Sequence, residues 1–388
     1  MPWKEKRPMD LRMEFMARLH RGERMTDLCV EYGISRKTGH KLKNRYEALG
    51  PVGLEDQPRA PKCIPHKTPP ELVEVVVSER RAHPTWGPRK LKAVLEQRLG
   101  HTLPAASTLG DILVREKLVE HKKIRPRGQA QPTGLSVAQA PNDGWSIDYK
   151  GQFRLGDGSY CYPLTLTDQY SRYILGCDGM AAIDEEQARA SCELVFRAYG
   201  LPAVMRSDNG VPFASVGLAG LTKLSVYFMR LGIKLERIRP SHPEENGRHE
   251  RMHRTLKRET TRPARHNLLQ QQEAFESFVE EFNERRPHEA LSMQCPAQVY
   301  QKSARRYPDV LPEPAYPTHD DTLPVNHKGY VSLRRGRRIY LSAALSGQLV
   351  GVREEDADRW LVSFLNLDLG HIEPGGGFTA MRLDGVSH

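Results

Sequence analysis

Three carboxylates stand in settings that suit joint chemistry: Asp148 in Trp145-Ser146-Ile147-Asp148-Tyr149, Asp208 in Ser207-Asp208-Asn209-Gly210, and Glu250 in Asn246-Gly247-Arg248-His249-Glu250. The first two read as strand-borne acids and the third as helix-borne. Acids converging from separate elements suit a hard divalent cation, and such cations suit phosphodiester chemistry. Three bare carboxylates brought together would raise one another's pKa. Two Mg²⁺ ions, about 3.5–4 Å apart, would relieve this, with Mn²⁺ as a substitute. Asp148 would bridge both ions, and Asp208 and Glu250 would each hold one. Plainer readings stand beside this one. Asp208 could belong to a mere turn, and Glu250 could simply pair with Arg254. Glu245 competes as the third ligand but precedes the helix. Asp168 reads as structural, paired with Arg172. His242 and His249 read as surface histidines that could position DNA or assist proton transfer.

These acids need a scaffold. Strand one places Trp145, Ile147 and Tyr149 on one face and Asp148 on the other. Asp157-Gly158 turns the chain into a second strand, Tyr160 to Leu166, and a third spans Tyr173 to Cys177. A helix capped by Asp184, with Gln187 at the capping-box position, runs to about Gly200. A short strand, Ala203 to Arg206, delivers Asp208. A helix over Leu218 to Leu231 and a strand over Ile233 to Ile238 follow, then the helix of Glu250. Met252 and Leu256 of that helix face inward, while Glu250, Arg254 and Lys257 share another stripe, which would flank an acid for metal with cations for the DNA backbone. The order βββαβαβα fits a ribonuclease-H-like sheet with helices on both faces, strands one and four parallel and adjacent.

The flanks look like nucleic-acid-binding modules. Met25 to Leu49 reads as helix-turn-helix: Thr26 caps a short helix, Gly33-Ile34-Ser35 turns, and Ser35 caps a second helix. Leu28, Ile34 and Leu42 would pack inside. The second helix presents Arg36, Lys37, His40, Lys41, Lys43 and Arg45 to a DNA groove, or else to solvent. After a linker, three short helices around Leu72, Pro88 and Ser107 suggest another helix-turn-helix or winged unit, with Arg89, Lys90 and Lys92 near phosphate; a plain helical spacer is the alternative. A basic strap (Lys122, Lys123, Arg125, Arg127) precedes the sheet. Past a proline-rich joint at Leu311 to Thr318, short strands read as a small β-barrel whose hairpin tip, with Arg335 and Arg337, could touch DNA.

The 388-residue chain carries a net charge of +10, with 38% hydrophobic and 27% charged residues. This fits several globular domains with a polyanionic partner, nucleic acid before a membrane surface. No run of about 18 apolar residues and no leader-like segment occurs, so a soluble, cytoplasmic protein is expected, bound to the nucleoid when on DNA. Six scattered cysteines (Cys29, Cys63, Cys161, Cys177, Cys192, Cys295) form no C-x-x-C pair and read as reduced thiols.

Taken together, the acidic segments, Leu166-Thr167-Asp168-Gln169-Tyr170-Ser171-Arg172, the run His242 to Arg251, Phe282-Asn283-Glu284-Arg285-Arg286-Pro287-His288-Glu289-Ala290-Leu291 with Pro296 and Tyr300, and Trp86-Gly87-Pro88-Arg89-Lys90-Leu91 resemble bacterial insertion-sequence transposases with a DDE core of the retroviral-integrase type. The resemblance implies that Asp148, Asp208 and Glu250 are the catalytic, metal-binding triad and that Glu245 is not. The interval between Asp208 and Glu250 is longer than usual for such cores, and Phe213 to Leu224 could hold the extra residues. The His-His-Cys-Cys zinc module of retroviral integrases has no counterpart here. The expected architecture is multidomain: a helix-turn-helix domain over 1–60, a second helical domain over 68–120, a basic linker over 121–143, an α/β ribonuclease-H-like core over 144–305, and an SH3-like barrel over 320–385. The expected activity is binding of terminal inverted repeats, cleavage of the DNA ends, and transfer of the 3′-OH to target DNA by a dimer or larger homo-oligomer on double-stranded DNA. The alternatives are a catalytically silent DNA-binding protein or repressor derived from such an enzyme, and a nuclease without strand transfer.

Overall fold

The structure, a computed structural model, describes residues 7–57, 67–119, 134–239, 242–333, 337–356, 359–375 and 377–381. Arg335, Cys63 and the cations of the strap (Lys122, Lys123, Arg125, Arg127) lie outside them. The chain divides into two compact units at Pro69.

In the first unit, α1 (Pro8–His20), α2 (Met25–Glu31) and α3 (Arg36–Leu49) pack around Phe15, Met16, Leu28, Cys29, Leu42 and Leu54. Ser35 caps α3, accepting a hydrogen bond from Thr38 N at 3.1 Å. Thr26 is not the cap of α2, which begins one residue earlier, after Arg24. Gly39 lets α3 approach α2: a Cβ there would lie 2.6 Å from Cys29 Sγ and 2.7 Å from Met25 Sδ, closer than van der Waals contact allows.

The second unit opens with α4 (Pro70–Ala82), α5 (Pro88–Leu99) and α6 (Ala106–Arg115), which enclose Val76, Trp86, Leu91, Leu95, Leu109 and Ile112. Helix α6 starts before Ser107, and its N-terminal flank is Ala105 without a side-chain cap. The sheet follows: β1 (Gly144–Tyr149), β2 (Phe153–Arg154), β3 (Tyr160–Asp168), β4 (Ile174–Met180), α7 (Glu185–Tyr199), β5 (Val204–Ser207), α8 (Lys223–Arg230), β6 (Lys234–Arg237) and α9 (Gly247–Thr260). Strands run in the order β2-β3-β1-β5-β6, with β4 on β3. Strand β1 pairs antiparallel with β3 and parallel with β5, the adjacency expected from the element order; β2 is an additional short strand.

One face of the sheet buries Trp145, Ile147, Leu164 and Leu166 against Cys192, Phe196, Leu224 and Phe228 of α7 and α8. The other buries Cys161, Ile174 and Cys177 against Met252 and Leu256 of α9 and against Phe275 and Phe278 of α10 (Leu268–Glu280). The alternation of β1 thus points Asp148 towards α9. The segment leading to α11 (Pro296–Val299) closes the core. Asn283 pairs through its side chain with both backbone groups of Ile174, at 2.9 Å each. Just after α11, Tyr300 stacks on Tyr173 with ring centroids 4.5 Å apart.

Helix α8 starts at Lys223, capped by Thr222, not at Leu218. Leu218, Ala219 and Leu221 pack instead into the C-terminal core with Val226, Val331, Leu345, Val350 and Phe364. That core belongs to β7 (Asp321–Pro324), β8 (Tyr330–Ser332), β9 (Arg338–Tyr340), β10 (Leu349–Asp356), β11 (Arg359–Phe364), β12 (Leu367–Ile372) and β13 (Phe378–Ala380). They form an antiparallel sheet, β13-β12-β11-β10-β7, and a separate β8-β9 hairpin. Among the described residues the strands do not close into a barrel, because β8 and β9 pair only with each other.

Candidate functional site

Parallel pairing sets the geometry of the acids. The last register pair of β1 and β5 is Ser146 with Arg206. Two residues beyond it on each chain stand Asp148 and Asp208, at the C-terminal end of both strands. Gly210 N donates to Asp208 Oδ1 at 3.0 Å, and Asn209 Nδ2 donates to Ile238 O at 2.6 Å, so the turn after β5 is tied to the end of β6. Gly210 packs closely here: a Cβ would sit 3.1 Å from Asp208 Oδ2 and would press on that carboxylate.

Glu250 lies in the first turn of α9 and is exposed. It forms no ion pair with Arg254 among the described residues. Burial first, then the charge of Asp208 and more weakly that of Glu250, push the Asp148 carboxyl up to about 7, while Lys150 and the Tyr149 backbone N–H pull it down. The three acids therefore share one electrostatic neighbourhood, and Asp148 is its most buried member. Lys150 is the one nearby cation in this balance; it stands two residues after Asp148 and so on the same strand face.

Helix α9 is held to β3 by a polar cluster that the sequence reading did not foresee. Thr165, the register partner of Asp148, donates its hydroxyl proton to Asp148 O at 3.0 Å. It then accepts from His249 Nε2 and from His253 Nε2, both at 2.7 Å, because a hydroxyl has one proton and two lone pairs. His249 Nδ1 in turn accepts from Thr167 Oγ1 at 2.9 Å. Both imidazoles are buried and held neutral. Burial pushes His249 down to about 3, and burial, then the neighbouring His249, also push His253 far below the usual histidine range. His249 is thus a core residue, not a surface one. Its i, i+4 spacing with His253 on the inward face of α9 was the available signal.

His253 Nδ1 lies 3.6 Å from Asp148 Oδ2. Asp148, His249 and His253 could be considered together as a ligand set, since one ligand atom of each lies within 4.8 Å of the others. The chemistry of the donors argues otherwise. Thr165 and Thr167 occupy both nitrogens of His249 and Nε2 of His253, leaving a single imidazole nitrogen. Asp148, Asp208 and Glu250 are not grouped within that distance among the described residues, but carboxylate oxygens are the donors that a hard divalent cation prefers.

The competing acids have other partners. Glu245 is buried and accepts from Arg239 Nε and Arg239 N, at 2.6 and 2.7 Å. Asp168 accepts from Ser171 N and Oγ and from Asn142 N. The guanidinium of Arg172 hydrogen-bonds to Gln169 O rather than to Asp168. His242 is partly exposed.

The sequence-selected cations separate into groups. Arg36, Lys37, His40 and Lys41 are exposed on α3, and Lys43 is partly exposed, 3.7 Å from Glu47. Arg254, Lys257 and Arg337 are exposed. Arg89 is exposed and Lys90 half-buried, and both lie against the segment of Arg286 and Glu289 in the same unit. Arg89 pairs with Glu289 at 2.8 Å. Half-buried Lys90 is pushed down to about 8 by that burial and by Arg286. Lys92 is tied to Glu96. The same seam holds His83 to Glu281 at 2.9 Å, and Thr85 and buried Arg286 to Glu259 at 2.5 and 2.8 Å.

Residues 138–243 and 231–296 match integrase core domain families; residues 11–62 match a helix-turn-helix domain and 38–113 a homeodomain-like domain. The Insertion element IS407 uncharacterized 31.7 kDa protein of Burkholderia multivorans (strain ATCC 17616 / 249) is 25% identical over 234 residues, 60% of this chain and 79% of that protein. The Gag-Pol polyprotein of Baboon endogenous virus (strain M7) is 27% identical over 192 residues, 48% of this chain. The match spans only 10% of that polyprotein's length. Among solved structures, the HTLV-2 integrase catalytic core domain in complex with magnesium matches all of its own length and 42% of this chain, at 15% identity and a TM-score of 0.34. Residues 138–296 are thus similar to integrase core domains and follow a segment similar to helix-turn-helix domains, and the chain resembles insertion-sequence proteins with such a core.

Proposed function

We propose that the chain is a DDE transposase: it binds the terminal inverted repeats of a mobile element, cuts the DNA ends, and joins the free 3′-OH to target DNA. The observation that carries this reading is the neighbourhood of Asp148, Asp208 and Glu250, in which burial first, then the charge of Asp208 and more weakly that of Glu250, push Asp148 up to about 7. Asp148, Asp208 and Glu250 would hold Mg²⁺ or Mn²⁺, two ions by the number of acids. Bound there, divalent ions would activate the attacking oxygen and stabilise the leaving one.

The chain's own groups supply orientation. Thr165 fixes the backbone of β1 at Asp148 and the inward face of α9, the helix whose exposed side carries Glu250. Lys150 offsets part of the acidic charge. Cleavage breaks a P–O3′ bond with water as nucleophile and releases the 3′-OH. Joining uses that hydroxyl to displace a 3′ oxygen in the target. Both are displacements at phosphorus and need no covalent enzyme intermediate. Exposed Arg36, Lys37, His40 and Lys41 of α3 suit the groove and phosphates of the element end. Two ends must be held for joining, which calls for a homodimer or larger assembly on double-stranded DNA.

The test combines purified protein, Mg²⁺ or Mn²⁺, a pre-cut element end taken from the inverted repeats flanking the gene, and a target plasmid. Joined product that disappears in Asp148→Asn is expected. Cutting without joining would leave a nuclease; DNA binding with neither reaction would leave a silent DNA-binding protein. Glu250→Gln should abolish the reaction and Glu245→Gln should not; the reverse pattern would move the third ligand to Glu245.

A further inference from the structure

Beside the acidic site lies a concentration of arginine that no carboxylate neutralises through an ion pair among the described residues. Arg172 sits in the turn between β3 and β4, in a left-handed backbone conformation with φ 68°. That conformation is costly for a side chain this large. The turn is fastened by Ser171 N and Oγ on Asp168 Oδ2, both at 2.7 Å, and by Arg172 N on Asp168 O at 3.0 Å. It aims the Arg172 guanidinium at Gln169 O. Arg248, from the first turn of α9, donates to the same carbonyl oxygen at 3.2 Å. Arg251 follows one turn later, its Nε on Gly247 O at 3.0 Å.

Two guanidiniums thus converge on one carbonyl while a third stands close by. Each carries five N–H donors, and each has a single side-chain hydrogen bond among the described residues. Burial first, then the charges of Arg248 and Arg251, push Arg172 down to about 10. Like-charge crowding with spare donors is unfavourable in the free protein and favourable once an anion arrives.

We infer that Arg172, Arg248 and Arg251 form a phosphodiester-binding site that grips the backbone of a DNA strand beside the acidic cluster. The inference deepens the transposase reading and rests on it. The register supplies the spacing. Thr165 is level with Asp148, and Asp168 is level with Trp145, so the turn that carries Arg172 begins about 10 Å along β3 from Asp148 at 3.3 Å per residue. That offset equals roughly three steps of duplex rise. The site would hold a flanking phosphate while the scissile one lies at the carboxylates.

The test is a binding measurement without chemistry. Full-length protein in EDTA is titrated with a fluorescein-labelled duplex of random sequence, and anisotropy is followed from about 50 to 200 mM salt. Arg248 and Arg251 are exposed, so the double variant Arg248→Gln, Arg251→Gln should melt as the wild type does. Its slope of log affinity against log salt should be shallower by about 0.9, for the one phosphate lost, making its affinity fall about 3.5-fold less over that range. Arg172→Gln should also flatten the slope. An unchanged slope in the double variant, with Arg36→Gln lowering it, would overturn this site and leave the enzyme reading standing. A wild type that fails to bind the duplex at low salt would sink both.

Discussion

Replacing Asp148 with Asn should separate the cost of this side chain from its use. The folded Asp148 carboxyl is raised to about 7, well above the unfolded value near 4. A group raised in this way contributes stability that is fully present below its unfolded pKa and lost as pH rises through its folded pKa. In EDTA, this residue should therefore make the wild type less stable between about pH 4 and pH 7. Asp148→Asn should remove that slope, melt above the wild type at about pH 8, and gain nothing from Mg²⁺, which should raise the wild-type melting temperature. Thermal melts across this range check it; parallel curves for the two proteins would count against the acidic cluster. Thr165 is the second residue with an outsized role, since one hydroxyl serves Asp148 O, His249 and His253. Thr165→Val keeps the shape and strands three buried polar atoms. It should cost about 1–3 kcal/mol or more in denaturant unfolding, whereas Thr165→Ser should recover most of that loss.

At the scale of elements, the site depends on how α9 lies on β3. Its contact interleaves polar and apolar groups, His249 and His253 with Met252 and Leu256. Histidines depressed by burial contribute stability that is present above the unfolded value of about 6.5 and lost as pH falls towards the folded value, about 3 for His249. Between those limits α9 should loosen before α7, whose contacts are with the apolar face of the sheet. Hydrogen exchange at falling pH should show the amides of α9 gaining exchange first; simultaneous loss across both helices would refute this. Much of this layout was legible beforehand. The alternation of β1 aimed Asp148 away from Trp145 and Ile147, and the strand order brought it beside Asp208. The histidine pair was not legible, because a polar residue at an inward helical position declares itself only when its partner strand is known. Nor was the start of α8: Leu218 and Leu221 continue an apolar helical pattern, yet a separate sheet core claims them.

At the scale of the molecule, the two helical modules differ in what they leave exposed. The sequence assigned DNA contacts to both, since each carries a basic helix behind a turn, and charge alone cannot tell a groove-facing cation from one that pairs within the protein. In the second module, exposed Arg89 is paired with Glu289 and Lys90 is half-buried beside Arg286. The same seam centres on Glu259, which receives Thr85 and Arg286. On α3 the cations Arg36, Lys37 and Lys41 remain open to solvent. Cations already paired release no counterions on binding DNA, whereas open ones do. Arg36→Gln combined with Lys41→Gln should therefore flatten the salt dependence of duplex binding by up to about 1.8 in log–log slope. Arg89→Gln should leave that slope unchanged. It should instead weaken the seam, as Glu259→Gln should do more strongly by leaving buried Arg286 without its carboxylate; both would appear as faster exchange of α5 amides. A fall in salt slope for Arg89→Gln equal to that of the α3 variants would mean that the second module turns its basic helix to DNA when bound, and that the Arg89–Glu289 pair opens on the way.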